Sequence, residues 1–596
     1  MTRGIAPADR GTMPGLMRRS IREPIVTPIA APGPQRTDAF TWTLVGLVLL
    51  PILIAIIRVL TQFDGFHATG DNALNELAVR DVGKYAVLLG PFSRSGWSHP
   101  GPLFYYLTWI PYRLFGANSA AMMVGALLIN GAALGTSVIV SHRWLGRALA
   151  IPVAVVCGLL VVHLPDGYLL SPWNPSVTAL PFGAFLLVAW AATCGDRWAL
   201  PAAVFIGTFC VQTHIGYAPL VIPVIAWCGW RVVRDRHQPR GPDLAPRGLT
   251  ALWWAVIVAA LIWAPVVIQQ LTQDPGNVRA ILHYFRTTTD PTHSIRDATR
   301  TIGAQFTINA DWIVGRSPVS IFTTEPIAMF ESPVPVLLVP FAIALGWVAR
   351  RGTPALRRLA IVLVIPLVIG VDALARTIGL MYDYRLRWIW VLAGLCMAFT
   401  VAAFVMWLRP RVTRRVSIAA LSAATALLIF LSVVGSAKAT SASPIELDRI
   451  AETTDLSQQV LRNLPSGHGI VLLRGTSFPT LTVVPGMTLM LERANIPVKV
   501  DDDGDNDLAL GRHRIHHGER VRALLVLAED TDIPRISATP GAVRVAYVSR
   551  FSPRVRGRAQ REFASLSEGQ RNTVSPRLVR ILRQLHAIAV YSVPPK

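Results

Sequence analysis

The run TWTLVGLVLLPILIAIIRVL, residues 41–60, is followed almost at once by FDGFHATGDNALNELAVRDVGKYAVLLGPFSRSGWSHPGPLFYYL, residues 63–107. The first is apolar apart from one arginine; the second is polar, aromatic and rich in turn residues. Roughly 20 helical residues cross the ~30 Å hydrocarbon core of a bilayer with every backbone polar group bonded internally. The two segments therefore read as a membrane-crossing helix that delivers the chain to a long aqueous loop. Further apolar runs lie at about 119–141, 148–164, 176–194, 199–213, 215–230, 249–270, 333–349, 359–376, 387–408 and 416–436. This pattern predicts an α-helical polytopic membrane protein with about eleven spans. The stretch 103–115, LFYYLTWIPYRLF, is too short and too aromatic for a span and is expected to be interfacial or re-entrant.

Composition agrees. Of the 596 residues 52% are hydrophobic and 15% charged, and mean hydropathy is +0.44, which excludes a water-soluble globular protein. The net charge of +22 would suggest nucleic acid in a soluble chain. Here the basic stretches flank apolar runs, as cytoplasmic anchoring and anionic lipid require, so the expected partner is the bilayer and not nucleic acid. Residues 1–38, rich in Pro, Gly and Arg, are expected to be a disordered cytoplasmic terminus ahead of an uncleaved signal-anchor helix. All five cysteines fall in apolar runs without metal-ligand spacing and read as small core residues.

With the amino terminus inside, Arg143/Arg147, the run Arg231 to Arg247, Arg350/Arg351/Arg357/Arg358 and Arg409/Arg411/Arg414/Arg415 all become cytoplasmic. An inner-membrane multi-pass protein is expected, whose other face receives loop 61–118, Pro165 to Pro175, loop 271–332, Met381 to Arg387 and the tail from 437. Residues 39–436 would form the transmembrane domain. Residues 437–596 carry strand-like runs (GIVLLRG, RALLVLAED, VRVAYVSR, AIAVYSV) and are long enough to bury a core, so an extracytoplasmic α/β or α+β domain is expected there. No repeat relates the two halves, which weighs against transporters built from repeats.

Polar residues suited to chemistry gather on that outer face. Asp71 opens a helical segment and could act as a general base on an acceptor hydroxyl; a capping role is the alternative. Glu76 is a second acid, four residues before Arg80 and able to pair with it. The rigid turn Gly96 to Pro102 presents His99, either for catalysis or for a structural hydrogen bond. Trp173 and Asn174 could stack on and hydrogen-bond a sugar, or Trp173 could belong to an interfacial belt. Arg385 and Arg387, with Arg376 four residues after Asp372, suit a phosphate through bidentate hydrogen bonds; snorkelling and a local ion pair are the alternative. QTHIGY (212–217) and QQLTQDPGN (269–277) could line a groove or cap helices. In the tail, DDDGDND (501–507) lacks the glutamate that ends a calcium loop, and His513, His516 and His517 lie among arginines, so solvated segments are expected.

A signal-anchor helix, a first external loop opening with an Asp, a HPGPLFYYL segment, many helices and a terminal external domain together resemble the GT-C-type membrane glycosyltransferases. These include aminoarabinose transferases, protein O-mannosyltransferases and actinobacterial arabinosyl- and mannosyltransferases. The resemblance centres on residues 40–230. It implies inverting transfer of a sugar from a polyprenyl-phosphate donor to a cell-envelope glycan, glycolipid or protein outside the inner membrane. Asp71 matches the catalytic aspartate of the first loop; Asn72 stands where relatives often carry a second acid. Asp166 matches the acid of the second external loop in some relatives, and Tyr105 is a substrate-contact candidate in the first. No cofactor is assigned, and a divalent metal stays an open option with no ligand assigned. The competing expectations are a transporter or lipid flippase, and a non-catalytic envelope-assembly protein.

Overall fold

The computed structural model describes residues 34–594 except 64, 236–247, 317–333, 445–446, 476–477, 503–505, 531, 550, 567–577 and 579–586. Most of the expected amino-terminal segment and the middle of DDDGDND therefore lie outside the described residues.

Each expected span coincides with a helix. The first is α1 (Ala39–Gln62), followed by two helices of the first long loop, α2 (Gly70–Asp81) and α3 (Leu103–Leu114). The bundle continues with α4 (Ser119–Leu145), α5 (Arg147–His163), α6 (Asn174–Cys194), α7 (Ala199–Thr213), α8 (Ala218–Arg234) and α9 (Gly248–Thr272). Loop 271–332 folds in part as α10 (Asn277–Thr287), α11 (Ile295–Ala304) and α12 (Asp311–Val314). The bundle closes with α13 (Leu338–Arg351), α14 (Pro354–Ala375), α15 (Arg387–Leu408) and α16 (Arg414–Ser441). Among the described residues eight helices are long and apolar enough to cross a membrane, while α5 and α7 are apolar but shorter.

The ends follow from local chemistry. Asp38 accepts from the Thr41 backbone N–H at 2.8 Å and Asn118 from that of Ala121 at 2.9 Å, satisfying orphan donors at the starts of α1 and α4. Helix α6 is buried along its length, and at Gly183 a Cβ would fall 2.6 Å from Val391, so α6 and α15 meet at small residues. At one end of the bundle the basic connectors meet acids from others: Arg147 lies 3.3 Å from Asp38, Arg143 3.2 Å from Asp196, and Arg358 3.0 Å from Asp235.

The opposite end carries the loops and the tail. Helices α17 (Leu447–Asn463) and α18 (Phe478–Arg493) flank a five-stranded sheet ordered β4-β3-β5-β7-β6, with β3 Ile470–Gly475, β4 Val498–Val500, β5 Val521–Glu529, β6 Val543–Val548 and β7 Ile588–Val593. Strand β3 runs parallel to β4 and β5, whereas β7 is antiparallel to β5 and β6. The four expected strands are all present; β4, three residues long, is too short to show a period of its own. Ahead of them, β1 (Phe92–Ser93) and β2 (Trp97–Ser98) form a small hairpin in the first long loop.

Helix α2 belongs to both halves of the molecule. Its Ala73, Leu74 and Leu77 enter the tail core beside Leu456, Val471, Met487 and Leu525. Close approach needs Gly486, where a Cβ would sit 2.7 Å from Thr453 Cγ2 and 2.9 Å from the Ala68 carbonyl. Asp81 receives two hydrogen bonds from Arg514, at 2.7 and 2.9 Å, and Arg514 also reaches Glu492 at 2.6 Å. Glu76 is fully buried and bonded by Arg493 of α18, by the Tyr112 hydroxyl at 2.9 Å and by Ser119 Oγ at 2.5 Å. The expected Glu76–Arg80 pair does not form; Arg80 lies 3.8 Å from Glu492 instead. Removing one member of a buried pair strands the other, at about 3–5 kcal/mol. Arg493→Ala should therefore lower the thermal midpoint of the detergent-solubilised protein clearly, and Arg493→Ala with Glu76→Gln should recover part of it.

Candidate active site

The loop end of the bundle encloses a cavity of about 610 Å³, lined from the α1–α4 loop, the α5–α6 loop, the α7–α8 joint, α10, the end of α14, the segment before α15 and Thr482 of the tail. Asp71 lies in the first turn of α2, where an anion is favoured by the helix dipole. Its Oδ2 accepts a hydrogen bond from the Trp173 indole N–H at 3.0 Å, and its Oδ1 lies 3.8 Å from Arg94 Nη2. Arg94 is brought there by the hairpin β1–β2. Trp173 packs 4.7 Å from Tyr384, whose hydroxyl accepts from Arg385 Nε at 3.3 Å. Arg385 is held further by the Ile378 and Leu380 carbonyls, at 3.2 and 3.3 Å. Thus Asp71, Trp173, Tyr384 and Arg385 form one continuous wall.

Asn174 lines the same cavity at the start of α6, donating to the Thr213 carbonyl at 3.4 Å. Arg376 and Asp372 stand at its edge as an exposed i,i+4 pair 2.8 Å apart. On the other side His99 and His214 stack with centroids 4.8 Å apart. Each Nδ1 accepts a backbone N–H, from Ile215 and Gly216 respectively, both at 3.2 Å. A backbone N–H can only donate, so each neutral imidazole carries its proton on Nε2. Burial, then His214 and Arg385, hold His99 well below the usual histidine range. Burial, then Arg385, push His214 down to about 4. Both rings are therefore neutral at pH 7, and His99 can donate a hydrogen bond but is poorly placed to exchange protons.

Four expected site residues do not line the cavity. Glu76 is committed to Arg493. Asp166 accepts from the Ser443 backbone N–H at 3.3 Å, where the tail joins the bundle. Tyr105 is buried and donates to Asn75 Oδ1 at 3.1 Å. Arg387 is buried, paired with Asp383, and lies 3.8 Å from the centre of the Trp390 ring, because it turns into the helix packing one residue after the cavity-lining Leu386. Gln212 and Gln269 serve local structure: Gln212 bonds Leu103 N and the Ile262 carbonyl, and Gln269 accepts from Asn277 N. Missing from the sequence-based set are Arg94, His214, Tyr384 and Thr482, all cavity-lining. His214 lay in the QTHIGY motif; the others carried no local signal. Among the described residues no three of His, Cys, Asp and Glu gather in a way that could hold a metal ion.

No family model and no curated protein sequence matches the chain. Solved structures do match. The crystal structure of ArnT from Cupriavidus metallidurans bound to undecaprenyl phosphate aligns with a TM-score of 0.53 and 13% identity, over 94% of this chain and 100% of that one. The apo state of the same protein aligns with a TM-score of 0.51 and 12% identity over the same shares. The chain has a GT-C-type fold. At so low an identity the likeness speaks for architecture, and the GT-C fold here includes the tail as well as the bundle, since the alignment spans nearly the whole chain.

The buried histidines also set a pH dependence. Unfolded, they take up protons near 6.5; folded, His214 does so only near 4. Their contribution to stability is therefore complete above pH 6.5 and is lost as pH falls towards 4. Asp81, whose carboxyl is lowered from 3.8 despite burial by His513 and Arg514, loses its contribution only below that window. Thermal unfolding in detergent should show the midpoint falling between pH 6.5 and 4, with a shallower fall in His214→Gln.

Proposed function

We propose that this chain is a membrane glycosyltransferase that moves a sugar from a polyprenyl-phosphate donor to a cell-envelope acceptor on the extracytoplasmic face, with inversion. The observation that carries the reading is the sharing of one cavity by a carboxylate, Asp71, and by guanidiniums suited to phosphate, Arg385 with Arg94 and Arg376. The ArnT fold supports it, because that protein was crystallised with undecaprenyl phosphate. In this reading the amino terminus lies in the cytoplasm and the cavity and tail outside; the grouping of basic connectors at the other end of the bundle supports it. Residues 39–436 then form the transmembrane domain and 437–596 an extracytoplasmic domain.

In this mechanism Asp71 takes the proton of the acceptor hydroxyl as that oxygen bonds the anomeric carbon. The carbon–oxygen bond to the lipid phosphate breaks on the opposite face, and the phosphate leaves with the bonding electrons. Arg385, assisted by Arg94 and Arg376, stabilises the charge gathering on that leaving group. His99 and His214 offer neutral Nε2–H donors to oxygen acceptors of the bound substrates. Arg387, buried beside Asp383, supports the fold of this segment and does not contact phosphate. A transporter would be expected to keep its ionisable groups near the bilayer midplane, whereas those lining this cavity sit at the loop end of the helices.

The test is transfer of radiolabel from a polyprenyl-phosphate sugar in membranes containing the protein. Asp71→Asn should lower turnover by about 10²–10⁴-fold, the range of general base catalysis, with the protein still inserted. Arg385→Ala should raise KM for the donor, whereas Asp166→Asn should leave the rate within a few-fold of wild type. Wild-type turnover by Asp71→Asn would remove Asp71 from the mechanism.

A further inference from the structure

Trp173 looks in sequence like a stacking surface for sugar, yet its most directed contact is made with the proposed base. The indole N–H points at Asp71 Oδ2 at 3.0 Å, across 102 positions of sequence. An indole has one donor and no acceptor, so in this bond the carboxylate oxygen is the acceptor and its position is set by the ring. Trp173 is itself set by its place immediately before α6, with its backbone N–H 3.3 Å from Ser171 Oγ, and by Tyr384 against its ring. With Oδ2 engaged, Oδ1 is the oxygen left to receive a proton; it faces Arg94 at 3.8 Å, beyond hydrogen-bond reach.

We propose that Trp173 is a positioning residue for Asp71: its indole N–H fixes the carboxylate rotamer and assigns Oδ1 as the base, and the ring is not primarily a platform for sugar. The inference rests on the proposed role of Asp71. It extends to Tyr384, which braces the indole on one side and accepts from Arg385 on the other, so that the base and the anion-binding arginine are held at a fixed separation.

Trp173→Phe separates the two roles, because phenylalanine keeps an aromatic face and loses only the N–H. Steady-state transfer in membranes should show kcat reduced about tenfold with KM for donor and acceptor within about twofold, the split expected when the base is misaligned and binding is kept. Adding Trp173→Phe to Asp71→Asn should cause no further loss, as expected of a residue that acts through Asp71. A Trp173→Phe enzyme with wild-type kcat, or one altered only in KM, overturns the proposal while leaving Asp71 as base. Full activity of Asp71→Asn alone sinks the base assignment itself. A fall in kcat of equal size on both backgrounds marks Trp173 as acting independently of Asp71 and overturns it too.

Discussion

A carboxylate without solvent exposure, Glu76, meets a guanidinium from another part of the chain, Arg493, and the architecture around the cavity depends on that contact. A buried charge is tolerated only when paired and hydrogen-bonded, and here the Tyr112 and Ser119 hydroxyls complete the shell. Three regions therefore converge on one carboxylate: α2 supplies it, the α3–α4 region supplies the hydroxyls, and α18 of the tail supplies the cation. The tail cannot leave without stranding Glu76, and α2 cannot rotate without breaking the pair.

This constraint reaches the cavity through helical geometry. Asp71 precedes Glu76 by five residues, and at ~100° per residue the two side chains emerge from α2 about 140° apart. Fixing Glu76 towards the tail thus turns Asp71 away from it, to the side where Trp173 and Arg94 wait. Thr69, at the start of α2, adds contacts to the Thr453 hydroxyl at 2.9 Å and the Thr482 carbonyl at 3.1 Å. The tail also gives Thr482 to the cavity wall, so it takes part in shaping the site as well as in anchoring it.

The membrane fold was legible because its signal is one of length: an apolar run near 20 residues has few meanings. The strands of the tail were legible for the same reason on a smaller scale. Choice among the candidate residues was not, since Asp71, Glu76 and Asp166 are all acids on loops at the same end of the bundle and differ only in what surrounds them. Glu76 met a cation from α18 more than 400 positions away, which no spacing rule reveals. Arg385 and Arg387 show the limit most sharply. They are two residues apart where a 3-10 turn, Asp383–Leu386, passes into α15 at Arg387, so their side chains leave the axis at least about 120° apart. One lines the cavity and the other is buried against Trp390. Arg94 depends on a hairpin of two-residue strands, too short for any alternation to register.

The cavity's charges are arranged so that its two proposed tasks do not cancel. A base and the principal phosphate-binding cation placed in direct contact would neutralise each other; of the proposed cations only Arg94, itself half exposed, approaches Asp71, at 3.8 Å. Between Asp71 and Arg385 stand two aromatic side chains, Trp173 and Tyr384, each giving or accepting one hydrogen bond at its polar end. Rigid rings transmit position without transmitting charge, so the wall can hold the two groups in register while keeping them apart. Arg385 acts in the other direction as well, helping to keep His99 and His214 neutral. Neutral imidazoles locked as Nε2–H donors add hydrogen bonds to the cavity without adding cations that would compete for Asp71. On the proposed chemistry, this leaves the carboxylate as the proton acceptor facing a bound hydroxyl, with Arg385 reserved for the leaving phosphate.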